Sequence, residues 1–297
     1  MKHTLTMLVA LVSLLAVLAG CSPETAVEER PWPERVEYSN LSIPTTRELA
    51  DRLLIHAGVG EAERQVFFRH VEQINSYLNT EERTDGFELR EIKTPKYDPY
   101  EVQDRWDSEH PDFPGYNCRI TAFSLLSDSI RIEKPPRPQN SDYILLDLLA
   151  LEEDPSAIPP GEELDRFRTF YDAVETVDTR NPEVHLEKIR ESWQERGISF
   201  REGNASLISV FFHDQLDGDR LWIGHTGILS ELDGQLYFLE KLAFQEPYQL
   251  VRVGSRAELS DYLMTKYDVE FHQPTARPLI LENDHLLEGY RVRPDAD

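Results

Sequence analysis

The chain has 297 residues, 40% of them hydrophobic and 10% aromatic, enough to pack a sizeable core. Acidic residues outnumber basic ones 55 to 31, for a formal net charge of -24, which argues against nucleic-acid binding because neutralising phosphates needs clustered Lys and Arg. The same balance disfavours a polybasic membrane-binding face and carries no information about chemistry; solubility or a salty medium accounts for it.

Residues 1–20 combine a positive start at Lys2, an apolar run over residues 5–18, and small residues before a cysteine in Leu18-Ala19-Gly20-Cys21. A bilayer takes about 18 or more apolar residues to span, and neither this run nor any later segment reaches that length. The segment reads as an export signal. Its end resembles the lipobox of bacterial lipoproteins, which implies cleavage before Cys21 and acylation of the Cys21 sulfur, so that the membrane becomes a partner through a lipid tether. The expected location is extracytoplasmic, on the periplasmic face or outer surface of a bacterial membrane. Residues 21–42 are polar, acidic and proline-containing and are expected to form a flexible linker.

One ordered domain is expected over residues 43–271, with a tail at 272–297. Thr45 or Thr46 is placed to cap a first helix carrying Leu49, Leu53 and Leu54; Gly58 and Gly60 end it, and residues 61–78 give a second helix. Residues 84–115 are rich in Pro, Asp and Tyr and are expected to be irregular. Asn117 is a good N-cap for a short helix starting at Cys118, whose apolar side carries Ile120, Ala122, Phe123, Leu125, Leu126 and Cys118 itself. The polar stretch from Glu133 to Pro138 breaks the chain, and residues 143–151, 164–174 and 182–196 read as helices of an insertion spanning about 131–200.

Near residue 206 the period changes from helical to alternating. Residues 207–213, 220–230 and 235–244 predict an antiparallel meander, with hairpin signals at Asp217-Gly218 and Asp233-Gly234. A last helix is expected over 257–266. Asp214, Asp217 and Asp219 have the spacing of part of a calcium loop but lack its closing Glu, and read as turn residues. His56, His70, His110, His185, His272 and His285 are scattered without metal-ligand spacing, so neither a metal nor a cofactor is expected.

The Asp233-Gly234 turn permits a register argument. If those two residues form the turn, Leu232 faces Gln235, and counting back places His225 opposite Leu242 and diagonal to Glu240, on one face of the sheet. That face is expected to carry Leu221, Ile223, Leu229, Leu236, Phe238, Leu242 and Phe244 as well, and so to be buried. A His and a Glu in an apolar stripe need partners, and each suits the other. The second imidazole nitrogen is then free to meet Cys118, if the Cys118 helix packs on that face. A helix N-terminus and a nearby imidazolium both stabilise a thiolate. Cys118, His225 and Glu240 thus have the makings of a cysteine nucleophile, its base and an orienting carboxylate, with the Cys118 amide, Tyr116 and Asn117 near an oxyanion or substrate. This chemistry is acyl transfer.

Gly115-Tyr116-Asn117-Cys118 opening a helix, His225-Thr226-Gly227 on a strand and Glu240 on the next resemble the papain-like NlpC/P60 cell-wall hydrolases and related amidases. The resemblance implies an α+β fold with a nucleophile helix packed on an antiparallel sheet, Cys118 as nucleophile, His225 as base and Glu240 as orienting residue. It implies an amide bond of peptidoglycan peptides or muramoyl-alanine linkages as the substrate class. Here the chain departs from the pattern in its long insertion, in Asn117 where Asp is usual, in Arg119 where a small residue is usual, and in Glu240 where His, Asn or Gln is more common. The strings around Cys118, His225 and Glu240, with Pro247-Tyr248-Gln249, also resemble a family of bacterial lipoproteins, domain of unknown function 4300, which implies no activity. A cysteine considered alone, as Cys118 would be without His225 and Glu240, is more often an inert core thiol than a nucleophile. A non-catalytic envelope binding lipoprotein and a thiol redox sensor remain the alternatives to a hydrolase.

Overall fold

The computed structural model describes residues 30–133, 142–269 and 272–294. The expected export signal, Cys21, the first part of the expected linker (residues 21–29) and the polar stretch after Glu133 lie outside the described residues.

Asp233 and Gly234 both adopt positive φ, 54° and 79°, the backbone of a tight turn whose twist matches the flanking strands. Strands of alternating or wholly apolar residues extend from it. In chain order the strands are β1 (Arg35–Ser39), β2 (Glu88–Glu91), β3 (Ile130–Ile132), β4 (Val174–Glu175), β5 (Ile198–Phe200), β6 (Ala205–Asp214), β7 (Arg220–Leu232), β8 (Gln235–Lys241), β9 (Tyr248–Val253), β10 (Leu279–Glu282) and β11 (His285–Leu286). Nine of them make one sheet in the order β11-β10-β6-β7-β8-β9-β1-β2, with β4 beside β7. Every pairing is antiparallel. The architecture is α+β, as expected.

The helices are α1 (Pro44–His56), α2 (Glu61–Ser76), α3 (Pro99–Asp107), α4 (Cys118–Leu126), α5 (Leu145–Glu153), α6 (Glu162–Tyr171), α7 (Pro182–Arg196) and α8 (Arg256–Tyr267). Among the described residues no helix is long and apolar enough to cross a membrane. Two apolar clusters separate the layers. Helices α1, α2 and α4, with the insertion, pack on one face of the sheet against Leu207, Phe211, Ile223, Ile228 and Leu239. The other face is covered by α8, whose Leu259, Tyr262, Leu263 and Met264 meet Ile208, Val210, Leu229 and Phe238.

Several expectations are corrected. The linker was expected to run to residue 42, but residues 35–39 form β1, paired on both edges by β2 and β9. The tail contributes β10, whose Leu279, Ile280 and Leu281 are fully buried beside β6. Residues 84–115 contain α3, started by Pro99 with the Asp98 carboxylate accepting from the amides of Tyr100 and Glu101. Helix α1 starts at Pro44 without a side-chain cap, so neither Thr45 nor Thr46 is the cap. The insertion has its ends tied together by β3 and β5, which pair as Ile130 with Phe200 through Ile132 with Ile198.

Candidate functional site

The β7–β8 hairpin has the expected register: Leu232 pairs with Gln235 and Gly227 with Glu240. His225 and Glu240 therefore share a face, and the His225 Nε2 lies 2.5 Å from Glu240 Oε2 in a buried hydrogen bond. The face is not the one expected. Opposite β6 the register shifts between Val210 and Phe211, so that Val210 faces His225 while Phe211 faces Ile223, and Gly224 is bulged out. A one-residue slip exchanges faces. Leu221 and Ile223 consequently lie with the α4 cluster, whereas His225 points into the α8 layer with Leu229 and Phe238. Its ring stacks on Tyr267 of α8 at 4.7 Å. Strand β8 ends at Lys241, so Leu242 and Phe244 are not strand residues.

Helix α4 packs on the opposite face, and a break in strand pairing lets its thiol reach the imidazole. Strand β6 pairs with β7 from end to end, but on the other edge β4 takes only Arg220 and Leu221, and β8 takes only Gly227 to Leu232. Residues Trp222 to Thr226 have no strand partner there among the described strands. The first turn of α4 fills the break: Arg119 Nη1 donates to the Ile223 carbonyl at 3.1 Å, and Cys118 Sγ lies 4.0 Å from the Gly224 carbonyl. Gly115, with φ +90°, lets the segment before α4 pass close to the chain after β8, because a Cβ there would come within 2.7 Å of the Phe244 carbonyl oxygen.

Cys118 and His225 are both almost fully buried, 4% and 1% exposed. The buried His225 Nδ1 makes no hydrogen bond of ordinary geometry to any other described group. It is the nitrogen left to face the thiol. Burial pushes the Cys118 thiol up, but the neighbouring His225 imidazole, with the Arg119 guanidinium, outweighs it and holds the thiol below its ordinary value. For His225 burial works downward; the thiol and Glu240 together raise it to about 9. Burial likewise opposes ionisation of Glu240, yet the Lys266 charge, His225 and the Tyr262 hydroxyl hold it down to about 2. For all three groups the shift runs toward the ionised form, downward for Cys118 and Glu240 and upward for His225.

Glu240 is satisfied on both oxygens. Its Oε1 accepts from Gln249 Nε2 and from the Tyr262 hydroxyl, each at 2.5 Å, and Gln249 also reaches Tyr262 at 3.0 Å. Lys266 Nζ donates to the Tyr262 oxygen at 3.3 Å. The carboxylate is thereby locked in orientation toward His225 by groups on β9 and α8.

Tyr116 and Asn117 do not stand ready for substrate. The Tyr116 hydroxyl donates to the Asp154 carbonyl at 2.8 Å, and its ring packs on His70 at 4.3 Å. Asn117 caps α4, its Oδ1 accepting from the Ile120 amide at 3.0 Å, while its Nδ2 donates to Asp147 at 2.8 Å. Both side chains are building the first turn of α4 and the residues that lead into it. The Cys118 and Arg119 amides, in the first turn and without partners one turn back in the helix, remain as donors for an oxyanion.

Sequence reasoning missed Asp147, Gln249, Tyr262, Lys266 and Tyr267. Only Asp147 had a signal of its own, a lone acid within Leu145-Leu146-Asp147-Leu148-Leu149. Of the Asp214, Asp217 and Asp219 set, Asp214 accepts from Tyr143 and Asp219 from Gln215, as turn and surface residues.

A large antiparallel sheet with helices on both faces, and a buried Cys–His–Glu series where one strand loses its neighbour, define this α+β protein. The chain belongs to the family described as Domain of unknown function (DUF4300), whose model matches residues 37–287. The match takes in the last three residues of β1 and the whole of β10 and β11, all beyond the expected limits of the domain. No curated protein and no solved structure matches the chain.

Proposed function

We propose that this protein is a cysteine hydrolase of the cell envelope, held to the membrane by lipid on Cys21, that cleaves an amide bond in peptidoglycan peptides or muramoyl-alanine linkages. The observation that carries the reading is the buried series Cys118, His225 and Glu240, with Glu240 held 2.5 Å from the imidazole and the thiol lowered by it. An inert core thiol needs neither a helix N-terminus nor an imidazole oriented by a carboxylate. The order nucleophile, histidine, third polar residue on the following strand supports a core related to the papain-like NlpC/P60 enzymes, from whose pattern this chain departs in its long insertion.

In the proposed reaction Cys118 Sγ attacks the amide carbonyl carbon, and the oxyanion is met by the first-turn amides of α4. The C–N bond breaks as the His225 imidazolium gives its proton to the leaving amine. Water then attacks the thioester, passing one proton to His225, and releases the carboxylic acid and the thiolate. Glu240 stays ionised throughout, orienting the ring and stabilising its positive charge.

The test is to incubate purified peptidoglycan peptides with the protein and count newly exposed amino groups. Turnover is expected with the native chain and none with Cys118→Ala, together with a trapped acyl group on Cys118. Absence of turnover, combined with a Cys118 that labels only as slowly as a buried unactivated thiol, sinks the proposal.

A further inference from the structure

We propose that Asp147, carried by α5 of the insertion, is a positioning residue for Cys118: with Arg119 it fixes the first turn of α4 and sets the charge around the thiol. The inference deepens the hydrolase reading and rests on it.

Asp147 is completely buried. Its carboxylate accepts from Asn117 Nδ2 at 2.8 Å, from Arg119 Nε at 2.8 Å and from Arg119 Nη2 at 2.5 Å. Asn117 and Arg119 are the chain neighbours of Cys118, so one carboxylate grips the nucleophile turn from both sides. Arg119 also donates from Nη1 to the Ile223 carbonyl, beside the bulge that aims His225. A second hold comes from the end of the same helix, where the Asp154 carbonyl and Ser156 hydroxyl take the Tyr116 hydroxyl.

A buried ion pair is a poor source of stability, because desolvating both charges offsets much of their attraction. Stability alone is therefore a weak reason to find it here. Its geometry gives a better one, since the pair spans the nucleophile turn and the bulged strand. The charged and titratable groups facing Cys118 are His225 from β7, Lys241 from β8, Tyr171 from α6, Tyr267 from α8, and Arg119 and Asp147. After burial and His225, Arg119 pulls the thiol down and Asp147 pushes it up, with Arg119 the stronger of the two.

The experiment follows the rate of Cys118 alkylation by iodoacetamide against pH, in the full chain carrying Cys21→Ser so that Cys118 is the sole thiol. Asp147→Asn keeps volume and an acceptor oxygen but removes the charge; the acidic limb of the profile is expected to move down by about half a pH unit or more. Turnover is expected to fall about tenfold or more as the turn loosens. The double variant Arg119→Met with Asp147→Leu removes both charges without stranding either, and its limb is expected to move up instead. Opposite shifts are a result that a purely structural ion pair does not give. Folded variants with the native limb overturn the inference, and so does a double variant that fails to fold. Failure of the hydrolase reading is distinct: native Cys118 then labels no faster than an ordinary thiol and His225→Ala changes nothing.

Discussion

The two faces of the central sheet contribute different halves of the site. On one, α4 presents the thiol at a helix start gripped by the insertion; on the other, His225 and Glu240 sit in an aromatic layer under α8, braced by Tyr262, Gln249 and Tyr267. They meet only because β7 bulges at Gly224 and loses its neighbour over five residues. A site assembled across a sheet depends on both layers holding their distance. Removing an interaction from one face should therefore leave the other folded and idle.

The largest effect is expected from cutting either half outright. Cys118→Ala and His225→Ala should each reduce amide hydrolysis by on the order of 10⁴-fold or more, and combining them should cost little beyond either alone. Additive losses would mean that the two faces do not act as one unit.

Glu240→Gln, which keeps size and removes charge, is expected to lower turnover by roughly 10²–10⁴-fold with substrate binding unchanged, because the imidazolium loses its counter-charge. Steady-state kinetics check this; a change in KM alone would place Glu240 outside the reaction.

The pH dependence of thermal stability reads the His225 and Glu240 half. His225 is raised from 6.5 to about 9, so its contribution is complete below about 6.5 and lost as pH rises through about 9. Glu240 is lowered from 4.5 to about 2, so its contribution is complete above about 4.5 and lost as pH falls through about 2. The melting temperature should be highest between these limits, and the alkaline fall should shrink in His225→Ala.

Gly115→Ala probes the thiol's half. A Cβ there meets the Phe244 carbonyl at 2.7 Å in a backbone already at φ +90°, and a loss of about 1–3 kcal/mol of stability is expected by denaturant titration, with slower Cys118 labelling. The smallest effect belongs to Tyr262→Phe. It removes one of two donors to Glu240 Oε1 while Gln249 remains, so a loss of about 0.5–1.5 kcal/mol in transition-state stabilisation is expected from kcat/KM.

The hairpin register was legible because turn chemistry is local: Asp-Gly takes positive φ readily, and a two-residue turn fixes every pair beyond it. That was enough to bring His225 and Glu240 together. The face they occupy was not legible, since the Gly224 bulge inverts the alternation without leaving a periodic mark in the sequence. Strand β10 is buried along its length, so Leu279, Ile280 and Leu281 show no alternation to separate them from a tail. Arg35 and Glu37 hid β1 in an acidic, polar stretch. The partners of Glu240 come from β9 and α8, and nothing local in Gln249, Tyr262 or Lys266 marks them as neighbours of a carboxylate 9 to 26 positions away. Tertiary packing alone joins them.

The proposed chemistry turns on a thiolate and an imidazolium paired across the gap in the sheet. Titration of the Cys118 thiolate by its ultraviolet absorbance, in the Cys21→Ser chain with and without His225→Ala, tests it most directly. A midpoint below the ordinary thiol value is expected in the parent chain, with a clear upward move when His225 is removed. A parent midpoint at or above the ordinary value, unmoved by His225→Ala, would contradict it.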